Sequence, residues 1–339
     1  MNKRFGAMAT LVVAIAATAG LLASSSSGSP KTQRTIGLVV VPPPDSPMAP
    51  YVENAGQAAA ASLGDQLAIK EASDAPTQAS AIDSLIAQHV AAIAVDNEQG
   101  DPAVGQALAQ ARKAGIPTVS FGDAYSGSLW VSPSSPAQYA RALADAVASQ
   151  MKQRGQFIIV PCAPANPIVG TEVRLIKAYV PHRYPRMRLV GVVTGADGNG
   201  PAGSLLLRPL LRKHPHLRGL IFLCQDEAYN GPPQLIHLHK VGKVFSAGNG
   251  DHYAPPVVGP WRTSVRLGAE EIVIPGDPAK LGYLTVWAAD QLANGHKLTP
   301  GKYNVGGPVG TVRYYGHNQE LRLGRPLTIT KANLSQYAG

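Results

Sequence analysis

The chain has 339 residues, of which 45% are hydrophobic and 15% charged, and this composition excludes an intrinsically disordered protein. Its length predicts about two domains, since a single core rarely serves more than roughly 250 residues. The formal net charge is +9, but the Lys and Arg residues are scattered singly, as on solvated helix faces. They are not clustered among aromatic residues, and we therefore exclude nucleic acid as a partner.

Residues 1–30 are predicted to be a secretory signal peptide followed by a polar linker. Two positive charges in MNKR precede the apolar stretch AMATLVVAIAATAGLLA, and the small polar segment SSSSGSP follows it. This order of segments is typical of a signal peptide, and an uncleaved N-terminal anchor is the alternative. No cysteine directly follows the apolar stretch, which argues against a lipid anchor. We therefore expect a periplasmic or otherwise extracytoplasmic protein.

After the signal peptide, apolar strands alternate with helical patterns. The first series of strands is predicted at 35–41, 66–72, 91–95, 117–121 and 128–132. The helices between them are predicted at 49–64, 77–90 and 101–115. The last of these helices has an acidic start and a glycine stop, which are the usual boundary signals. Continuous apolar strands separated by helices indicate a parallel sheet that is covered on both faces.

The pattern then repeats in a second series. Strands are predicted at 156–162, 188–194, 219–224, 243–248 and 270–274. Helices are predicted at 135–155, 170–184, 203–215, 232–242, around 254–267 and at 280–295. The chain is therefore predicted to be an α/β protein with two doubly wound, Rossmann-like parallel-sheet domains. The last helix is not followed by a further series, which implies several chain crossings at a hinge between the domains.

Six segments of this chain, taken together and in order, resemble a known family. They are TQASAIDSLIAQHVAAIAV, DPAVGQALAQARKAGIPTVSFGDA, YPRMRLVGVVTGADG, LRKHPHLRGLIF, GDPAKLGYLTVWAADQLANG and LGRPLTITKANLSQY. The resemblance is to the type 1 periplasmic sugar-binding proteins of ABC transporters, in the branch that binds rhamnose and autoinducer-2. It covers roughly residues 35–337 and implies two lobes that close on a ligand held between them.

The resemblance also implies a division of the chain into lobes. The N-terminal lobe is expected to contain residues 31–132 and 276–306. The C-terminal lobe is expected to contain residues 133–275 and 307–339. The C-terminal tail is expected to dock near the hinge and the second lobe.

The ligand residues of the family carry over only in part. The position of the family's lysine after the first strand falls on Pro42–Pro44, and its Leu-Trp pair falls on Pro275-Gly276. The family's Asp-Ser-Asp becomes Gly122-Asp123-Ala124, so one carboxylate is kept. A polar pair of the second lobe falls on Ile168 and Val169. These departures leave the identity of the ligand open.

Sugar recognition requires planar polar side chains that pair with adjacent hydroxyls, and an aromatic face for the ring. Such residues follow several predicted strands or begin the next helix. The candidates are Asp45, Tyr51, Asn97, Phe121, Asp123, Asn166, Asp226 and Asn249. The alternatives are a turn for Asp123 and Asn249, an N-cap for Asp226 and packing at the helix start for Tyr51.

The two cysteines, Cys162 and Cys224, end the first and third strands of the second series. In a doubly wound sheet of order 2-1-3-4-5 these strands are neighbours, so the two side chains are expected within disulfide reach. We hypothesise that they form a disulfide beside the cleft. Two free buried thiols are the alternative.

Several functional classes can be compared at this point. The sequence contains no GxSxG, P-loop or HExxH motif, and no histidine pair has metal-ligand spacing, so we predict no enzyme activity, cofactor or metal. We predict a monomeric solute-binding protein with a sugar or polyol ligand and a membrane permease as partners. A sensor that presents its closed form to a chemoreceptor or kinase, and a diverged binder of a non-sugar solute, are the alternatives.

Overall fold

The computed structural model describes residues 33–43, 46, 48–97, 101–122, 124–161, 167–194, 202–250 and 260–336. The predicted signal peptide lies outside the described residues. None of the helices within the described ranges is both long and apolar enough to cross a membrane.

Fourteen strands and nine α-helices lie along the described chain, and they alternate in most of it. The strands are β1 (Thr35–Val40), β2 (Gln66–Glu71), β3 (Ala92–Asn97), β4 (Thr118–Gly122), β5 (Leu129–Ser132), β6 (Gly155–Val160), β7 (Met187–Val192), β8 (Leu217–Phe222), β9 (Phe245–Asn249), β10 (Glu270–Ile274), β11 (Gly301–Gly306), β12 (Gly310–Tyr315), β13 (Glu320–Arg322) and β14 (Leu327–Ile329). The helices are α1 (Ala49–Leu63), α2 (Ala75–Ala87), α3 (Pro102–Lys113), α4 (Pro136–Gln150), α5 (Pro167–Arg183), α6 (Ala202–Lys213), α7 (Gln225–His237), α8 (Pro260–Leu267) and α9 (Pro278–Ala293).

The strands form two sheets. The larger sheet has the order β11-β12-β13-β5-β4-β3-β1-β2, and the smaller one has the order β14-β10-β9-β8-β6-β7. Five strands of each sheet run parallel in the order 2-1-3-4-5. The predicted fold class, two doubly wound parallel-sheet domains, is therefore confirmed. We call the larger sheet with its helices the first lobe, and the smaller sheet with its helices the second lobe.

Each sheet is covered on both faces, as its apolar strands require. In the first lobe α1 and α9 pack on one face, where Leu38 and Leu284 are fully buried. On the other face α2 and α3 bury Ile82 and Leu108. The second lobe is built in the same way, with α4 and α5 on one face and α6 and α7 on the other.

Local sequence signals explain where several helices begin. Asp74 caps α2 and Ser135 caps α4, each in a reciprocal capping box with the residue three positions later. Asp277 caps α9, and a proline follows directly at its first position. The start of α7 was less visible, because Pro232 and Pro233 lie inside the helix rather than at its beginning. The helix predicted at 232–242 therefore begins earlier, at Gln225.

The C-terminal segment differs from the predicted division of lobes. Residues 307–339 were expected in the second lobe, but β12 and β13 belong to the larger sheet. Gly306, Gly307 and Gly310 all have positive φ, and the tight turn that they form returns the chain antiparallel onto β11. The last described residues do lie in the second lobe, where β14 pairs antiparallel with β10 and Leu334 packs against Val265 of α8.

Candidate functional site

The carboxyl ends of both parallel sheets meet the segments that connect the lobes. The first crossover, residues 133–135, leaves the carboxyl end of β5 and enters α4. The second, residues 275–277, leaves the carboxyl end of β10 and enters α9. Because parallel strands of one sheet end at the same edge, the carboxyl ends of the ten strands in the two 2-1-3-4-5 series turn towards this junction. Ligands of doubly wound folds bind at such edges.

The three crossovers pack against one another at the junction. The third, residues 323–326, connects β13 to β14. The backbone N–H of Leu323 donates to the oxygen of Ser132, the last residue of β5, at 2.9 Å. The backbone N–H of Gly324 donates to the oxygen of Pro133, in the first crossover, also at 2.9 Å. A Cβ at Gly276 in the second crossover would lie 2.6 Å from the Cβ of Pro133. The junction is therefore a compact hinge made of three segments of the chain.

A buried carboxylate anchors this hinge to the first lobe. Glu320 is 1% exposed and accepts hydrogen bonds from Ser132, from Asn318 at 2.9 Å and from two nitrogens of Arg322 at 2.7 Å each. Burial raises the pKa of the Glu320 carboxyl, but these donors outweigh it, so the pKa lies below its ordinary value. Arg322 also stacks over the ring of Tyr315, at 4.3 Å from its centroid. These hydrogen bonds thus hold the ends of β5 and β13, from which the first and third crossovers begin.

In the first lobe, the predicted site residues lie at or near the carboxyl edge. Tyr51 is in the first turn of α1, is half-buried, and has a hydroxyl pKa that burial raises. Asn97 is the last residue of β3. Phe121 lies near the end of β4, but it is 4% exposed and packs in the core, so its ring is not the open stacking surface that we predicted. Asp45 and Asp123 lie outside the described residues.

In the second lobe, Asn249 and Asp226 lie at the equivalent edge. Asn249 is the last residue of β9, and its Nδ2 donates to the backbone oxygen of Leu223, 3.2 Å away at the end of β8. Its side chain therefore joins the ends of two neighbouring strands. Asp226 is in the first turn of α7. Asn166 lies outside the described residues.

Cys224 is the N-cap residue of α7 and is disulfide-bonded. There is no free cysteine in the described ranges. The strands β6 and β8, which precede the two cysteines, are paired neighbours. Cys162 lies outside the described residues, and as the other cysteine of the chain it remains our proposed partner for Cys224.

Sequence reasoning missed several buried or half-buried carboxylates near these edges. Glu172 in α5 is 6% exposed and Glu227 in the first turn of α7 is 4% exposed. In the first lobe, burial raises the pKa of Glu53 in α1, and the charge of Glu71 at the end of β2 raises it further. Their position near helix starts that follow parallel strands was a usable signal. Their burial was not visible in the sequence.

The described residues contain no group of three or more His, Cys, Asp or Glu side chains placed to hold a metal ion. The carboxylates and amides at the two edges are instead separate groups on separate elements. This arrangement suits hydrogen bonding to a polar solute.

Comparison with solved structures identifies the fold. A sugar ABC transporter from Actinomyces odontolyticus is 22% identical with a TM-score of 0.78, covering 90% of this chain and 97% of its own. A solute-binding protein from Clostridium phytofermentas with bound L-rhamnose is 20% identical with a TM-score of 0.63, covering 91% and 98%. LsrB from Clostridium saccharobutylicum in complex with AI-2 is 15% identical with a TM-score of 0.66, covering 89% and 99%.

A search of curated proteins finds no significant match. The family model described as "Periplasmic binding protein domain" matches residues 36–297, which is most of the chain and includes strands of both lobes. The chain therefore belongs to the periplasmic binding protein family.

Proposed function

We propose that the protein is the extracytoplasmic solute-binding protein of an ABC importer and binds a small sugar or sugar-like ligand between its two lobes. One observation carries this proposal. The carboxyl ends of the 2-1-3-4-5 strands of both sheets turn towards the same junction of three crossovers. Binding sites of open parallel sheets lie at that edge, so two such edges at one junction make a two-sided cleft.

The comparisons support the proposed class of ligand. The structural relatives include a sugar ABC transporter and proteins solved with L-rhamnose, D-arabinose and AI-2. These three ligands are small molecules with many oxygen atoms. Their identities to this chain are low, and this chain lacks the lysine and tryptophan that the sugar-binding branch carries near the cleft, so the sugar itself is left for experiment.

Lobe closure is the proposed mechanism. The strongly packed pairs of described helices and strands lie within one lobe or the other, so the crossovers are the main connection between the lobes. Gly276 and Gly324, which has a φ of +137°, lie in two of the crossovers, where a hinge must absorb backbone rotation. A ligand that contacts Tyr51 on the first lobe and Asn249 on the second stabilises the closed form by its greater affinity for that form.

The proposed location and partners of the protein follow from its proposed role as a solute-binding protein. A signal peptide within residues 1–30, which also include a polar linker, exports the protein, and the closed monomer presents the ligand to a membrane permease. The protein itself carries out no chemistry. A sensor that delivers its closed form to a chemoreceptor or kinase would use the same cleft and the same closure.

The test is a thermal-shift and calorimetry screen of the mature protein against pentoses, hexoses, deoxysugars, polyols and autoinducer-2. A ligand at a hundred times its Kd should raise the free energy of unfolding by about 2.7 kcal/mol. Asp123→Ala should remove the shift, and Asp83→Ala, an exposed residue of α2, should keep it. No shift with any of these compounds would overturn the sugar assignment.

Small-angle scattering tests closure separately from binding. The ligand found in the screen should reduce the radius of gyration of the wild-type protein. A ligand that binds in calorimetry without changing the radius would contradict closure and leave binding intact. Co-purification of the liganded protein with a permease or with a receptor separates import from sensing.

A further inference from the structure

A second cavity lies in the first lobe, at the opposite edge of the sheet from the crossovers. It has a volume of about 230 Å³. Thr118 and Leu129, two of its lining residues, are the first residues of β4 and β5, so the cavity opens at the amino ends of these strands. The proposed sugar site lies at the carboxyl ends. The two sites are therefore separated by the length of the strands.

Arg112, Thr118 and Gln319 form the polar wall of this cavity, and no carboxylate partner of Arg112 is found among the described residues. Arg112 Nη1 donates to Thr118 Oγ1 at 3.0 Å and to Ser128 Oγ at 3.1 Å. These hydroxyls are 2.8 Å apart and belong to residues only 2% and 3% exposed. The ion pairs found within the described chain do not include Arg112. A half-buried guanidinium thus faces hydroxyl groups where a counter-ion is expected.

The backbone is shaped around this guanidinium. Gly127 has a φ of +78°, and a Cβ at this position would lie 3.0 Å from Arg112 Nε and 3.2 Å from its Cζ. A side chain at Gly127 would therefore push the guanidinium away from the two hydroxyls. Burial lowers the pKa of Arg112 from its usual value, as expected for a cation that lacks a neighbouring negative charge.

The rest of the wall is largely apolar. Leu129, Leu292, Leu298 and Tyr314 line the cavity beside Arg112. Tyr314 is 8% exposed, and no hydrogen bond of its hydroxyl is found among the described residues. The volume lies below the roughly 300 Å³ at which ordinary ligand pockets begin, so the occupant must be small.

We propose that this cavity is a second binding site that holds the carboxylate of a small organic acid on Arg112. Among the described residues no hydrogen bond is found for Arg112 Nη2 or Nε. These two donors match the two oxygens of a carboxylate, and Arg binds this group more specifically than Lys does. The leucines and Tyr314 contact the short apolar body of the acid. The ligand is thus a monocarboxylate of a few carbon atoms or one ring, and its site is independent of the sugar cleft.

Isothermal titration with benzoate and butyrate tests the proposal, with benzamide as the uncharged match of benzoate. Wild-type protein should bind the acids and not the amide. Arg112→Gln should weaken binding about tenfold or more, because it removes a charge-assisted hydrogen bond. Lys113→Gln is the matched control, since it removes the same charge from the exposed neighbouring residue of α3 and should leave binding unchanged.

Gly127→Ala provides a second variant that keeps the charge, and it should weaken benzoate binding by displacing the guanidinium. If Arg112→Gln unfolds, this variant and the NMR shift of the Arg112 Nε–H signal on adding benzoate to wild-type protein decide the question. An absence of binding to the wild type at tens of millimolar overturns the proposal. Equal binding by wild type and both variants, or benzamide binding as tightly as benzoate, also overturns it.

Discussion

The two lobes bury acidic residues in different ways. In the first lobe Asp65 and Asp290 are 4% and 3% exposed, and both contact Arg34 at the start of the sheet. Arg34 binds Asp65 through Nε at 3.2 Å and Nη2 at 3.0 Å, and its Nη1 donates to Asn294 at 2.8 Å. This cluster joins the residue before β1 to the loop after α1 and to the end of α9.

In the second lobe Glu270 is buried without such a partner. It is 1% exposed, and neither carboxylate oxygen has a hydrogen-bond partner in the described part of the chain. One oxygen lies directly over Gly248, where a Cβ would come within 2.5 Å of it. Burial raises the pKa of Glu270 well above its ordinary value. The comparison teaches that the Arg34 cluster offsets the burial of its two acids with a cation, whereas burial of Glu270 raises its pKa and so favours its protonated form.

The largest expected effect comes from removing the partner in the first lobe. Arg34→Met leaves two nearly buried carboxylates without a cation, which should lower the free energy of unfolding by roughly 3–5 kcal/mol. Urea denaturation at pH 7 measures the loss. Adding Asp290→Asn to this variant should restore part of the stability, because one uncompensated charge is removed. A loss below about 1 kcal/mol for Arg34→Met would show that the cluster is solvated and adds little.

The second prediction concerns Glu270 and has the opposite sign. Glu270→Met replaces the carboxyl with an unbranched apolar side chain of similar length, and at pH 8 it should stabilise the protein by roughly 1–3 kcal/mol. The folded-state pKa is raised, so the unfolded chain releases its proton first and wild-type stability falls as the pH rises above about 4.5. The gain should therefore be smaller at pH 5 than at pH 8.

Urea midpoints of both proteins at the two pH values check this prediction. Asp83→Asn, at an exposed position of α2, is the control and should change stability little at either pH. An equal gain at pH 5 and pH 8 would mean that Glu270 does not titrate in this range. A loss at pH 8 would mean that the carboxylate is satisfied by an ordered water molecule.

The sequence was sufficient to predict the fold, but not to predict the different environments of the Arg34 cluster and Glu270. Apolar strands between helical patterns identified both parallel sheets, because burial on two faces leaves a continuous apolar run. β12 and β13 were assigned to the wrong lobe, since short, partly exposed strands and glycine turns carry little such signal. Arg34 and Asp290 are 256 positions apart, and Glu270 resembles an ordinary strand start. Their environments exist only in the folded chain.

The candidate site was predictable to a similar depth. Strand ends could be counted along the sequence, and this places Tyr51 and Asn249 at the carboxyl edges of opposite lobes. Which way a side chain points at such an end depends on packing, and Phe121 turns into the core. Glu172 was missed because a single glutamate in a helix is usually exposed, and Glu227 because it lay in the loop before the helix predicted at 232–242.

The smallest expected effect sharpens the comparison within β10 itself. Glu271 follows Glu270 and points to the other face of the sheet, where it is half-buried and burial raises its pKa from 4.5 to about 7. Between these values the unfolded chain is deprotonated while the folded protein keeps the proton, so wild-type stability declines as the pH rises and levels off above about 7.

Glu271→Gln cannot titrate, so its advantage over the wild type should grow from pH 4.5 to pH 7. After allowance for solvent screening, this growth should reach about 1–2 kcal/mol. Urea unfolding at half-unit pH steps measures the difference. A constant offset between the two proteins would place the titration elsewhere and leave Glu270 as the proton-dependent group of the second lobe.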